Sequence, residues 1–479
     1  MLPIAVTAQA VKVGLSKPLG DDDRQRLERD FRRKVDVVEI PDSEIVEGLK
    51  RLFTGKDEAD DSMKAIFDSI VELALDEHGG DLHFQWVEHG SDRRGEVLLR
   101  VDRGLYQIGE YTKAEFEKLL RVAGGAVSAA NTDPFETKTG VYDTATGRST
   151  TLRFQAMPDY RGAVATIRLI GSSGKRFTLR DLGLAAQVEA ALRILLKRPG
   201  GMLLTIGPPH SGKTTLLWTL VNEIIAMIGK NQRRVKVLSG EDAVEVPQDT
   251  AVQVEVNEDR GVSYPRFLTG ANRSDTDITV IGEISDQESC QHAMQVALSV
   301  RYNLASMHAR DGFSAVQRIL EWGVPPSVLM SGLRAIVVQR LLPLLCDECK
   351  KPAVASPYAR RCLKATLKDI SPELFTQVFA EGDKPDCGTC GGKRRYGSRA
   401  VVEVVPMSAR VLRIVCNPQS TYEEIEQEFT IARRLASGDG RGKNLTIAVQ
   451  AAALFLDGLI SEDAMFEAEI GGDWEREES

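Results

Sequence analysis

The segment MLLTIGPPHSGKTTLLWTLVNEIIAMI, residues 202–228, sets the architecture of the larger part of this chain. Gly207, Pro208, Pro209, His210, Ser211, Gly212, Lys213 and Thr214 satisfy G-x-x-x-x-G-K-[ST] in full. An apolar run, MLLTI, precedes the motif and reads as a buried strand; TLLWTLVNEIIAMI follows it and reads as a helix. Strand, glycine loop and helix in that order form a phosphate cradle. Glycines let the backbone curl its N–H groups toward phosphate oxygens, and the helix N-terminus adds partial positive charge. Lys213 is placed to neutralise β- and γ-phosphates, Thr214 to hold Mg²⁺ through its hydroxyl, and Thr215 to extend the cradle. The bland alternative, a chance glycine-rich turn, does not account for the flanking strand and helix.

Outward from this loop, VKVLSGE (235–241), DITVIGE (277–283) and NLASMHA (303–309) are short apolar runs separated by helical segments. Alternation of that kind predicts an α/β fold with a mainly parallel, doubly wound sheet. Open sheets of this class hold ligands at the carboxyl ends of their strands. Polar residues stop three of the runs there: Glu241 with Asp242 and Glu245, then Glu283, then His308. Splitting a phosphoanhydride with water requires a carboxylate to orient the water and cations to take up charge, so these are the candidate catalytic groups.

Upstream, SMKAIFDSIVELALDEHGG (62–80) has helical spacing and stops at paired glycines. DLHFQWVEHG and GEVLLRVDRGLYQIG alternate with period two, as a hairpin does. A further helix over 111–126 and strands near 148–158 and 163–171 complete an α+β domain. Residues 21–34, DDDRQRLERDFRRK, read as a solvated helix, and 52–61 as a linker. The expected division is 1–60, partly helical; 61–175, the α+β domain; 176–345, the P-loop domain; 346–400, a cysteine subdomain; and 401–479, a helical tail.

Composition bounds the function. The chain has 479 residues, 42% hydrophobic and 27% charged, with a net charge of −8. An acidic balance opposes a general nucleic-acid coat. No run approaches the ~18 apolar residues a membrane helix needs, and the N-terminus lacks a signal-peptide pattern. Membrane association is therefore expected to be peripheral.

Of the seven cysteines, four form two C-x-x-C pairs, Cys346 with Cys349 and Cys387 with Cys390, with 37 residues between the pairs. Two such pairs complete a closed tetrahedral S₄ shell suited to structural Zn²⁺. Isolated redox dithiols are the alternative. Cys290, Cys362 and Cys416 read as small core fillers.

The ordered boxes resemble the ATPase family that powers type II secretion and type IV pilus assembly. Residues 207–214 look like its Walker A, 241–245 (EDAVE) like its Asp box, 282–286 (GEISD) like its Walker B box, and 306–309 (SMHA) like its His box. Asp81-Leu82-His83 and Tyr396-Gly397-Ser398-Arg399 with Glu403 are similar to further family stretches. The resemblance covers about residues 65–405 and implies a RecA-like ATPase domain preceded by a PAS-like α+β domain. It implies Glu245 as the residue that activates water, Glu283 as the Walker B acid near Mg²⁺, and His308 beside the γ-phosphate. Arg153 and Arg168 fall on the two arginines that reach the phosphates from the N-terminal domain. The cofactors implied are ATP, Mg²⁺ and Zn²⁺. The partners implied are a homohexamer and an inner-membrane platform protein, at the cytoplasmic face, without nucleic acid. Assembly motors of the family often carry the four cysteines and retraction motors usually lack them. The chain departs from the family at Ala243, Ser285, Thr269 and Ser299-Val300-Arg301, with Arg301 a candidate replacement cation. Two other classes stay open at this point: a nucleotide-gated scaffold with weak hydrolysis, and a RecA-like nucleic-acid motor.

Overall fold

A computed structural model describes residues 2–6, 10–15, 34–39, 58–77, 79–89, 92–101, 104–127, 138–159, 162–170, 177–229, 234–257, 261–367, 370–436 and 446–468. The chain separates into two compact units, 1–172 and 173–479.

The first unit begins with strands β1 (Leu2–Val6), β2 (Ala10–Leu15) and β3 (Lys34–Glu39), in the order β1-β2-β3. The helix expected over 21–34 lies outside the described residues, apart from Lys34, which opens β3. Helix α1 (Glu58–Asp76) starts inside the stretch expected to be a linker. Glu58 and Ala59 are good helix formers and extend it N-terminally.

Strands β4 (Asp81–His89), β5 (Asp92–Val101) and β6 (Gly104–Thr112) follow, then α2 (Lys113–Gly125). Strands β7 (Lys138–Asp143), β8 (Ser149–Asp159) and β9 (Gly162–Ile170) complete a six-stranded antiparallel sheet, β6-β5-β4-β9-β8-β7. One sheet face buries Phe84, Trp86, Val97, Leu152 and Ile167 beneath α1 and α2 through Phe67 and Phe116. Trp86 meets the Phe116 ring edge-on with centroids 4.5 Å apart.

In the second unit α3 (Ala186–Leu196) leads into β10 (Met202–Ile206), α4 (Lys213–Ile228), β11 (Val237–Glu241), β12 (Val252–Glu255) and α5 (Tyr264–Arg273). Next come β13 (Ile278–Ile281), α6 (Gln287–Val296), β14 (Tyr302–Met307), α7 (Gly312–Glu321), α8 (Pro326–Gly332) and the long β15 (Leu333–Leu345). The remaining elements are β16 (Lys351–Ala353), α9 (Pro357–Leu367), β17 (Val378–Ala380), β18 (Arg395–Pro406), α10 (Ala409–Val415), α11 (Tyr422–Ala436), α12 (Ile447–Leu456) and α13 (Glu462–Ala468).

The main sheet has the order β12-β11-β13-β14-β10-β15-β18 and is parallel except for β18. Its inner strands β10, β13 and β14 are buried on both faces. Met202, Leu204 and Ile206 point into the core with α5 to α8, whereas Leu203 points into the core with α3 and α4. Helices on both faces of a parallel sheet are the expected answer to strands that are apolar throughout. Strand β18 pairs with β15 over most of its length, so residue 400, the expected end of the cysteine subdomain, falls inside a strand of the main sheet.

A buried ion network fastens the tail to that edge. Arg433 on α11 donates to Glu403 of β18 at 2.8 Å and to Glu426 at 2.6 Å. Glu403 also accepts the backbone N–H of Ile447, at the start of α12. Arg433 and Glu403 are both under 10% exposed at the side chain. Removing one partner strands the other in a medium that solvates it poorly. Arg433→Ala should therefore lower stability by about 3–5 kcal/mol, measured by denaturant unfolding. A loss below about 1 kcal/mol would contradict this account of the network.

Candidate active site and metal centre

Parallel register brings the candidate residues to one sheet edge. Ile206 pairs with Met307 and with Val338, so Gly207 continues beside His308 and Gln339. Gly240 pairs with Ile281, and Ile281 with Ala305, so Glu241, Gly282 and Ser306 follow side by side. Cross-links fix the edge: Gly282 donates its N–H to the Gly240 carbonyl at 2.8 Å, and Ser306 Oγ donates to the Gly282 carbonyl at 2.5 Å. The three boxes separated in sequence thus share the carboxyl end of the sheet.

The loop between β10 and α4 is shaped for an anion. His210 and Gly212 have φ of 59° and 81°. At Gly212 a Cβ would come within 2.8 Å of Gln339 Nε2, and at Gly207 within 2.5 Å of the Gln339 carbonyl oxygen and of Ser211 Oγ. Only glycine lets the backbone pass there. Ser211 Oγ and Gln339 Oε1 are buried without a hydrogen-bond partner among the described residues. Pro208, Pro209 and His210 form the outer rim, and Thr214 and Thr215 are half-buried in the first turn of α4. A glycine-only cradle at a helix N-terminus fits a nucleotide's phosphates. Gln339 beneath it carries no motif in the sequence, and only the sheet register locates it.

Lys213 is 8% exposed. Its ammonium donates to the carbonyls of Gly207 and Pro208 at 3.1 and 3.0 Å and lies 3.1 Å from His308 Nδ1. An ammonium can only donate, so Nδ1 accepts and the ring proton sits on Nε2. That nitrogen is 3.1 Å from Glu283 Oε2, to which it donates. The chain Lys213–His308–Glu283 therefore links the Walker A, His and Walker B boxes directly. Burial pushes the Lys213 pKa down, while Glu283 and Glu245 favour its charged form. Glu245 is half-buried on the loop after β11. Glu241 is 4% exposed and accepts from Ser239 Oγ at 2.6 Å and from Gln253 Nε2 at 2.9 Å. Burial raises its pKa.

Two family positions have other duties. Asp286 caps α6, accepting from the Ser289 N–H at 2.9 Å and the Ser289 hydroxyl at 2.7 Å. Arg301 precedes β14 at the edge opposite His308 and lies 4.0 Å from the Asp277 carboxylate. A six-residue strand spans about 20 Å, so Arg301 lies far from the phosphate loop of its own chain.

Arg153 and Arg168 lie in the first unit, directly across from one another on β8 and β9. Arg168 Nε donates to Asp81 Oδ1 at 2.8 Å. Asp81 is 4% exposed, and the Arg168 side chain is 41% exposed. His83, also on β4, contacts Thr166 Oγ1 through Nδ1 at 3.3 Å; burial pulls its pKa down.

The four paired cysteines converge. Leu345 pairs with Arg395, so the end of β15 and the start of β18 bring both C-x-x-C turns together. All four sulfurs lie within 4.8 Å of one another and all four residues are buried. Cys346 and Cys387 Sγ are 3.7 Å apart, as are Cys349 and Cys390 Sγ. A tetrahedral Zn–S₄ site with bonds of ~2.3 Å has edges of about 3.8 Å; two of the edges match that length and the whole cluster is compact enough to close on zinc. Backbone N–H groups of Cys390 and Thr389 bring the Cys387 thiol down to about 7, whereas burial pushes Cys349 up to about 12. Gly382 is indispensable to this turn, since a Cβ there would overlap the Cys349 carbonyl oxygen. Cys290 and Cys362 are buried, and Cys416 is half-buried.

Comparison with known proteins agrees with this geometry. The family described as "Type II/IV secretion system protein" matches residues 56–450. The type II secretion system protein E of Pseudomonas aeruginosa is 27% identical over 88% of this chain and 79% of its own length. The type IV pilus assembly ATPase PilB of Myxococcus xanthus is 30% identical over 59% of this chain, which spans about half of that relative. Among solved structures, the ATPase DotB of Legionella pneumophila shares the fold at a TM-score of 0.56 with 16% identity, covering 84% of this chain and 94% of that one. The pilus retraction motor PilT bound to ADP gives 0.52 with 18% identity, covering 84% and 97%. A family match over most of the chain and four boxes gathered at one sheet edge lead to the same conclusion: this chain belongs to the type II/IV secretion system protein family.

Proposed function

We propose that the chain is an Mg²⁺-dependent ATPase that drives type II secretion or type IV pilus assembly. The carrying observation is the direct linkage Lys213–His308–Glu283 at the mouth of the glycine cradle. Residues 207–215 would hold the phosphates, and Thr214 and Glu283 are the groups that would hold Mg²⁺, which would offset charge on the phosphates. Glu245 orients the attacking water, Glu241 shapes the acid cluster, and His308 senses the γ-phosphate through Lys213. Arg153 and Arg168, on a RecA-like core's PAS-like partner domain, supply cations when that domain closes over ATP. In this reading residues 1–60 form an N-terminal segment, 61–175 the PAS-like domain and 176–345 the RecA-like domain. Residues 346–400 carry the zinc and end on β18, which returns to the main sheet, and 401–479 complete that strand and form the helical tail.

Cys346, Cys349, Cys387 and Cys390 would hold Zn²⁺ as a closed structural site with no position left for water. Relatives' names support work on a secretion or pilus machine. A homohexamer acting on an inner-membrane platform protein at its cytoplasmic face is the arrangement proposed. Among the described residues no helix is long and apolar enough to cross a membrane.

Phosphate release tests this reading. With saturating Mg-ATP, wild-type protein should turn over. Glu245→Gln should bind ATP with unchanged affinity and lose about 10²–10⁴-fold in kcat, the range for a positioned base. Equal rates for the two proteins, or equally negligible ones, would refute the assignment.

A further inference from the structure

Gln253 lies on β12, the outer strand of the main sheet, opposite Ser239 of β11 in parallel register. Its amide ties Glu241, the last residue of β11, to the loop that follows that strand. Nε2 donates to Glu241 Oε1 at 2.9 Å and to the Val246 carbonyl at 3.1 Å. Oε1 accepts the backbone N–H of Gln248 at 2.6 Å. Both N–H donors are thereby used, and the carbonyl oxygen as well. The three partners, at 241, 246 and 248, bracket Glu245. Residues 242–251 belong to no helix or strand, so strand pairing does not hold this loop in place. The Gln253 side chain clamps it from a strand that strand pairing does hold.

We propose that Gln253 is a positioning residue for ATP hydrolysis: clamping the loop on both sides of Glu245 fixes that carboxylate relative to Lys213 and the cradle. It touches no nucleotide and acts through Glu245. The inference rests on the reading of Glu245 as the residue that orients water. A carboxylate misplaced by about 1 Å can cost on the order of 10²-fold in rate, even when the substrate still binds normally.

Gln253→Leu keeps roughly the side chain's volume and removes all three bonds. It should lower kcat at least tenfold while leaving the KM and Kd for ATP within twofold of wild type. A loosened fold would also lower kcat, so the variant is repeated on Glu245→Gln. If Gln253 acts through Glu245, the double variant should turn over no more slowly than Glu245→Gln alone. Should Gln253→Leu fail to fold, Gln253→Met, of similar length and without an N–H donor, takes its place with the same expectations. A kcat within twofold of wild type, or an equal loss in both backgrounds, would overturn the proposal. Wild-type turnover by Glu245→Gln would instead defeat the underlying assignment of Glu245. An inactive Glu245→Gln beside a fully active Gln253→Leu would defeat the clamp alone.

Discussion

Lys213→Ala should reduce Mg-ATP hydrolysis by about 10²–10³-fold and weaken nucleotide binding as well. That range is the cost of removing one preorganised group from a site where charge develops. The ammonium is buried and held on three sides, by two loop carbonyls and His308. Burial disfavours its charge, and Glu283 and Glu245 oppose that effect. Without the cation, those two carboxylates face the incoming phosphates unbalanced, so binding and turnover fall together. Lys213→Arg should not rescue the loss. A planar fork is a different shape from a point charge on a thin stem, and the site leaves the side chain almost no free surface. Equilibrium titration with a fluorescent ATP analogue, alongside phosphate release, reads both effects. Hydrolysis by Lys213→Ala within tenfold of wild type would contradict the account.

The second large effect concerns the cysteine cluster. Purified protein should contain about one zinc per chain, and Cys387→Ser should contain none. Because a closed thiolate site forms only in the folded chain, metal binding energy is folding energy. Losing it should destabilise the second unit on the order of 5 kcal/mol, the scale reserved for loss of a metal or a buried network. Thermal unfolding should then shift down by about 10 °C, and a strong chelator should reproduce the shift in wild type. Metal-free protein with unchanged thermal stability would show that the sulfurs are held by packing alone.

The sequence conveyed most of the parallel sheet, because β10, β11, β13 and β14 are short, largely apolar runs closed by a polar stop, whereas the edge strand β12, Val252–Glu255, alternates and went unread. Those stops were the candidate site, and register explains why: parallel strands that end in step place their last polar residues in one row. The C-x-x-C pairs were equally legible, since their spacing is itself the geometry. Three things stayed hidden. Strands β1 to β3 carry apolar residues at alternate positions, as in Ala10–Leu15, but they are short and sit amid charged sequence that reads as helix. Strand β18 belongs to the sheet although it follows the cysteines, because long-range pairing with β15, not local propensity, fixes it. Gln339 and Gln253 carry no motif. Their roles arise from neighbours 132 and 12 positions away, Gly207 and Glu241, which only the folded sheet brings within reach.

The most direct test of the account is a structure of the protein with Mg²⁺ and a non-hydrolysable ATP analogue. The terminal phosphate should accept from Lys213 Nζ, with Thr214 and Glu283 around the metal and the Glu245 carboxylate one water away from the γ-phosphorus. A nucleotide bound elsewhere, or Glu245 turned away from the terminal phosphate in every copy, would contradict it.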